Sequence, residues 1–274
     1  MTVAIDAGTG PSVVLVHGQP GRGLDWEALA ARLSSDHRVL APDRPGWGND
    51  ERMATSLASN AADMASVIES VGLSSPVTVV GHSLGGGIAI ELALSRPDLV
   101  GALVLIGSIG VDRALNRFDQ LLAVPRFGDT VMRAGLLATR GGLRTARKLL
   151  KNKPTEPLLR RVARSPTVRG LVWLETQPMS ARVRTSFLAE QRALVKETPL
   201  LERRLSRLEV PTAVVHGTAD HVVPISASRA LAERIPGAEL IALQGEGHLV
   251  PFERPDRIAL IVRRYGSLGE RRAR

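Results

Sequence analysis

Ser83 stands between two glycines in Gly81-His82-Ser83-Leu84-Gly85. There a β-branched apolar run, Val77-Thr78-Val79-Val80, gives way to Leu84, Ile88 and Leu92 at helical spacing. The change of period predicts a buried strand, a sharp turn and a helix, with the serine at the turn. A serine hydroxyl attacks carbonyl carbon at neutral pH only when it is exposed, beside a base, and near N–H donors that receive the developing oxyanion. Glycines at 81 and 85 permit the turn, since a side chain at either would strike the neighbouring strand or helix. The string alone is weak in a chain with 26 glycines among 274 residues, so its company decides the reading.

The base and its partner lie far downstream. His248, in Gln244-Gly245-Glu246-Gly247-His248, follows the apolar run Leu240 to Leu243, and Asp220 follows the run Val210 to His216. Both therefore occupy loops just past strand ends. In a parallel sheet all carboxyl ends share one edge, so Ser83, Asp220 and His248 are expected at one rim, in the chain order Ser, Asp, His that this turn type requires. Oxyanion donors are expected from the backbone N–H of Leu84, at the helix start, and of Gln19, in the loop after Ser12 to Val16. Asp112 is a distant alternative acid. His17, His82 and His216 read as structural, and Asp43 as a group ordering its own loop.

Strand and helix patterns alternate from Ser12 to Ile106 and again from Val210 onward, the signature of a doubly wound sheet. Thr2 to Asp6 predicts a short edge strand, Asp25 an N-cap, and the arginine-rich end after Gly266 a frayed tail. From Val111 to Glu209 the pattern is helical, interrupted by prolines at 125, 154, 157, 166, 178 and 199. Its clearest helix is Ser180 to Lys196. Phe118, Phe127, Trp173 and Phe187 in this segment read as its own core rather than as substrate contacts.

Composition narrows the function. The chain has no cysteine, which removes disulfides and thiolate chemistry, and its six histidines show no HExxH spacing; no metal and no cofactor are expected. The start lacks a basic, apolar leader, and no run reaches about 18 apolar residues, the pattern of a soluble, cytoplasmic protein. Net charge is +9, and the segment 111–209 carries 21 Lys and Arg against 9 Asp and Glu, so all the excess is there. It is read as solvated helix faces or as a surface for something acidic: a membrane, a carrier protein or an anionic substrate. Nucleic acid is disfavoured by an aromatic content of 3%. Oligomeric state is left open.

Taken together, His17-Gly18-Gln19-Pro20-Gly21, Asp43-Arg44-Pro45-Gly46-Trp47-Gly48, Gly81-His82-Ser83-Leu84-Gly85-Gly86, Gly217-Thr218-Ala219-Asp220 with Val223-Pro224, and Gly247-His248 resemble the motif set of the α/β-hydrolase superfamily. The resemblance is to the branch with a helical cap inserted after the sixth strand. It implies a core of residues 1–110 and 210–274, a cap of 111–209, and a mostly parallel sheet flanked by helices. It also implies two strands before the His-Gly loop; with sixteen residues ahead of His17, the first is expected to be missing. The implied activity is hydrolysis of a carboxylic ester or thioester through an acyl-enzyme, with a small-molecule acyl substrate. Alternatives are carbon-carbon hydrolysis of a diketone acid, a cofactor-free perhydrolase-like activity, and a ligand-binding receptor that keeps the triad. Epoxide hydrolase and dehalogenase chemistry is disfavoured by the serine nucleophile and by a lone Tyr265 outside the cap.

Overall fold

The computed structural model describes residues 1–74, 76–132 and 180–273. Seven strands form one sheet in the order β1-β3-β2-β4-β5-β6-β7. They are β1 Thr2–Ala7, β2 Ser12–Val16, β3 Arg38–Asp43, β4 Val77–His82, β5 Val100–Ile106, β6 Thr212–Gly217 and β7 Glu239–Leu243. β1 runs antiparallel to β3 at the edge and every other pairing is parallel. β1 and β2 both lie ahead of His17, and the segment expected after a sixth strand follows the fifth, β5, so the sheet is one strand shorter than the resemblance implies. Gly8 and Gly10, at φ of 80° and 112°, turn the chain between β1 and β2 within four residues.

The helices are α1 Glu27–Leu33, α2 Leu57–Ser70, α3 Leu84–Ser95, α4 Arg117–Ala123, α5 Ala181–Glu202, α6 Ile225–Arg234, α7 Val250–Glu253 and α8 Pro255–Ala273. The central strands are apolar without alternation because both faces are covered. In β2, Val14 and Val16 belong to the core layer that α2, α3 and α6 cover, while Val13 and Leu15 belong to the opposite layer, with Trp26, α1 and α8. This is the α/β arrangement the motif order predicts. No described helix is long and apolar enough to cross a membrane.

Three local expectations are corrected. Asp25 caps no α-helix; it sits in a 3-10 turn, Gly23–Trp26, where its carboxylate accepts the Arg22 N–H at 3.0 Å. The end after Gly266 does not fray. α8 runs to Ala273 with Ile258, Val262 and Tyr265 buried on the sheet, Gly269 lying against Gly101, and Arg272 paired to Glu209 at 3.0 Å. Pro199 does not end its helix either. α5 continues to Glu202, with Thr198 and Leu201 buried and Glu197 accepting the Leu57 N–H at 2.9 Å, so tertiary contacts outweigh the missing N–H. Trp173 and the prolines at 154, 157, 166 and 178 lie outside the described residues.

Candidate active site

Ser83 occupies the single residue between β4 and α3 with φ 54° and ψ −122°. An L-residue at positive φ is strained by roughly 1–3 kcal/mol, and here its neighbours hold it. Its N–H donates to the Ile106 carbonyl at 3.0 Å, and its carbonyl accepts from Gly86 at 3.0 Å and Ile109 at 3.2 Å. A Cβ on Gly81 would come within 2.5 Å of the Gly85 carbonyl, and one on Gly85 within 2.2 Å of the Val16 carbonyl. Both glycines are thus required by close approach, as the motif predicts.

Sheet register delivers the other residues to the same edge. Val16 pairs with Gly81, His82 with Ile106, Ile106 with Val215 and Gly217 with Leu243. Gln19, Ser83, Asp220 and His248 lie one to five residues past those ends. His248 Nδ1 meets Asp220 Oδ2 at 2.7 Å, and the other Asp220 oxygen accepts the N–H groups of Val222 at 2.8 Å and Val223 at 3.0 Å. A carboxylate only accepts, so the imidazole proton sits on Nδ1 and Nε2 is left with its lone pair. Burial pushes the Asp220 carboxyl up, but the His248 hydrogen bond and charge and these N–H groups outweigh it, so its pKa lies below the ordinary value. Asp112 is exposed at the start of a separate 3-10 turn and takes no part in this contact.

A cavity of about 330 Å³ opens on Ser83, Gln19 and Leu84. Its far wall comes from the segment between β5 and β6, including Phe118, Asp119, Leu122, Phe187 and Gln191, and its side from His221 to Val223. Phe187 packs on the Leu122, Met132 and Leu188 core of that segment, as expected, and also lines the cavity; Phe118 lines the cavity without joining that core. Phe127 does not line it and is half exposed.

Three further histidines, His17, His82 and His216, are buried and held in the neutral form. Burial, with His248 nearby, holds His82 down to about 3; its Nε2 donates to the His248 carbonyl at 2.9 Å, and its ring meets Trp26 edge-on at 6.4 Å between centroids. Burial and the Arg44 charge keep His17 well below its usual range. His17 Nε2 accepts the Arg44 N–H at 3.1 Å, which leaves Nδ1 to donate to the Gly18 carbonyl at 2.9 Å. His216 Nδ1 bonds to Ser228 of α6 at 2.8 Å, and its Nε2 lies 4.0 Å from Asp220 Oδ2 within its own loop. Asp43 orders its loop through the Asn49 N–H at 2.8 Å and also ties it to Gly23 at 2.7 Å. Among the described residues no His, Cys, Asp or Glu cluster could hold a metal ion.

Sequence reasoning missed the polar groups brought by α4 and α5. Gln191 donates to Asp119 at 3.0 Å and accepts from Gln19 Nε2 at 2.6 Å. Glu190, the preceding residue, pairs with Arg44 in a fully buried contact. Arg44 in turn donates to the carbonyls of His17 at 3.0 Å and Gly18 at 2.9 Å. The only signal in the chain was a Glu-Gln pair inside an otherwise ordinary helix, and Arg44 within a loop read for its turn residues.

The family model described as "Alpha/beta hydrolase family" matches residues 13–259. The chain belongs to the α/β-hydrolase family. A 2-hydroxymuconate semialdehyde hydrolase of Pseudomonas putida is 30% identical over 95% of this chain and 88% of its own. A pyrrolizixenacetamide deacetylase of Xenorhabdus hominickii is 27% identical over 94% of this chain and 91% of its own. Among solved structures, the meta-cleavage product hydrolase of Pseudomonas fluorescens IP01 superposes with a TM-score of 0.66 at 26% identity, covering 94% of this α/β hydrolase and 92% of that chain. An esterase of Thermogutta terrifontis superposes with a TM-score of 0.68 at 23% identity, over 95% and 91%, a likeness of fold.

Proposed function

We propose that this α/β hydrolase cleaves a carboxylic ester or thioester through an acyl-enzyme, with residues 1–110 and 210–274 as catalytic core and 111–209 as lid. In this reading Ser83 Oγ attacks the carbonyl carbon as its proton passes to His248 Nε2. The oxyanion is held by the Gln19 and Leu84 N–H groups, while Asp220 orients His248 and stabilises the imidazolium. Collapse breaks the bond to the leaving group, which takes the proton from His248; water, activated in the same way, then releases the acid and restores Ser83. The observation that carries the reading is the strained serine turn opening on a cavity shared with Gln19 and Leu84, with a part-buried Asp220-His248 pair at 2.7 Å.

A second reading, carbon-carbon hydrolysis of a diketone acid, is favoured by the 2-hydroxymuconate semialdehyde and meta-cleavage product hydrolases among the relatives. It stands second because the described cavity lining includes a carboxylate, Asp119, and no Lys or Arg that would meet an acid substrate. Hydrolysis of p-nitrophenyl esters of graded acyl length, with fluorophosphonate labelling, tests both. Wild type is expected to turn over and label, and Ser83→Ala to lose both, by roughly 10⁴-fold or more in turnover. Release of a dienoic acid from a ring-fission product, without ester turnover, would establish the second reading. A folded wild type that neither labels nor turns over would overturn both.

A further inference from the structure

The groups around Gln19 form a chain with a direction. Asp119 Oδ2 accepts the Asn116 N–H at 2.9 Å, and its Oδ1 accepts from Gln191 Nε2 at 3.0 Å. A carboxylate has no proton to offer, so the Gln191 amide is oriented with its nitrogen toward Asp119 and its oxygen away. That oxygen accepts from Gln19 Nε2 at 2.6 Å. Gln191 is 2% exposed, so water cannot easily replace either bond. The same loop is held from the other side: Arg44 grips the His17 and Gly18 carbonyls and is itself paired with Glu190, the neighbour of Gln191 on α5. Three successive loop residues, 17 to 19, are thereby fixed by two successive residues of one helix.

We infer that Gln191, oriented by Asp119, is a positioning residue that aims the oxyanion donor of Gln19, so that seating of α4 and α5 on the core sets the rate of acyl transfer. The inference rests on the proposed hydrolase reading, in which the Gln19 N–H is a donor. Donors to an oxyanion act within a few tenths of an ångström of 2.7–3.1 Å. The Gln19 side chain is the lever that stops its peptide from rotating out of that range. A polar group that merely lined the cavity would instead discriminate among acyl groups.

The test is steady-state kinetics of Gln191→Leu, Asp119→Ala, Gln19→Ala and the double variant Gln191→Leu/Asp119→Ala on short, medium and long p-nitrophenyl esters, with fluorophosphonate labelling rates. Truncating Gln19 leaves its backbone donor in place. Each single variant is expected to lose kcat by roughly tenfold, as small misplacements of catalytic groups do. The loss should be equal across acyl lengths, with KM within about threefold and a parallel fall in labelling. The double variant should be no worse than Gln191→Leu, since both residues act through one bond. Asp119→Asn, which can still present an acceptor oxygen, should recover most of the rate. Loss that follows acyl length, additive losses in the double variant, or wild-type kcat in Asp119→Ala would overturn the inference. If Gln191→Leu does not fold, Asp119→Ala and Gln19→Ala decide it by the same criteria. Residual turnover in Ser83→Ala would instead overturn the hydrolase reading beneath it.

Discussion

At the scale of single residues, Gly107 shows how tightly the Asp220-His248 pair is enclosed. It lies just past β5 with φ 49°, and a Cβ there would stand 3.2 Å from both Asp220 Oδ2 and His248 Nδ1. The position is where an acid could have been placed after β5, and its emptiness leaves room for the acid delivered after β6. Gly107→Ala is expected to press on the pair and to strain the backbone. Turnover should fall up to about 100-fold, as misplaced catalytic groups do, and stability by roughly 1–3 kcal/mol. Kinetics and chemical denaturation of the same variant check both, and unchanged turnover would show that the pair tolerates displacement. The arrival of Ser83, Asp220 and His248 at one rim was legible because turn glycines and strand ends are local features. Gln191 and Asp119 were not, because nothing in a helical period marks which polar residue faces a loop 172 positions away.

At the scale of elements, α5 is fastened to the core along its length. Arg182 donates to the carbonyls of Asp50 at 2.9 Å and Gly48 at 3.2 Å, and Glu202 accepts the Asp112 N–H at 2.7 Å. Midway, Arg44 and Glu190 form a buried pair with side chains 0% and 1% exposed. Burial pushes the Glu190 carboxyl up while Arg44 pulls it down. Taking two charges out of water offsets much of their attraction, whereas removing one strands the other. Glu190→Ala is therefore expected to cost roughly 3–5 kcal/mol, and Arg44→Met with Glu190→Leu to recover most of it. Denaturant unfolding of the three proteins measures this; a double variant as unstable as the single one would refute it. Helix boundaries were legible only where a cap or breaker acts alone. At Pro199 and in the arginine-rich end after Gly266 packing decided instead, through buried Leu201 in one case and Tyr265 with close-packed Gly269 in the other.

At the scale of the whole molecule, three buried histidines couple folding to pH. Burial lowers His17, His82 and His216, the second to about 3 from an ordinary 6.5. Between those values the unfolded chain binds a proton that the folded chain refuses. The stability from keeping each imidazole neutral is therefore fully present above about pH 6.5 and is lost as pH falls toward the folded value. The slope is about 1.4 kcal/mol per pH unit for each histidine. Denaturation midpoints at pH 7.5 and 5.0 are expected to fall, and His82→Gln to reduce that fall; equal slopes in the variant would refute the assignment. Charge is distributed on the same scale: 11 of the 21 basic residues of segment 111–209 lie in 133–179, outside the described residues.

The sheet, its parallel run and the rim that gathers four distant loops were determined by the chain alone, because apolar period, turn glycines and strand ends act over a few residues. Tertiary structure decided the rest: how closely Asp220 meets His248, which aromatic side chains face the cavity, and how α5 holds the loop at Gln19. Those contacts join residues 28 to 172 positions apart, and their existence depends on how finished elements pack, which no local pattern encodes.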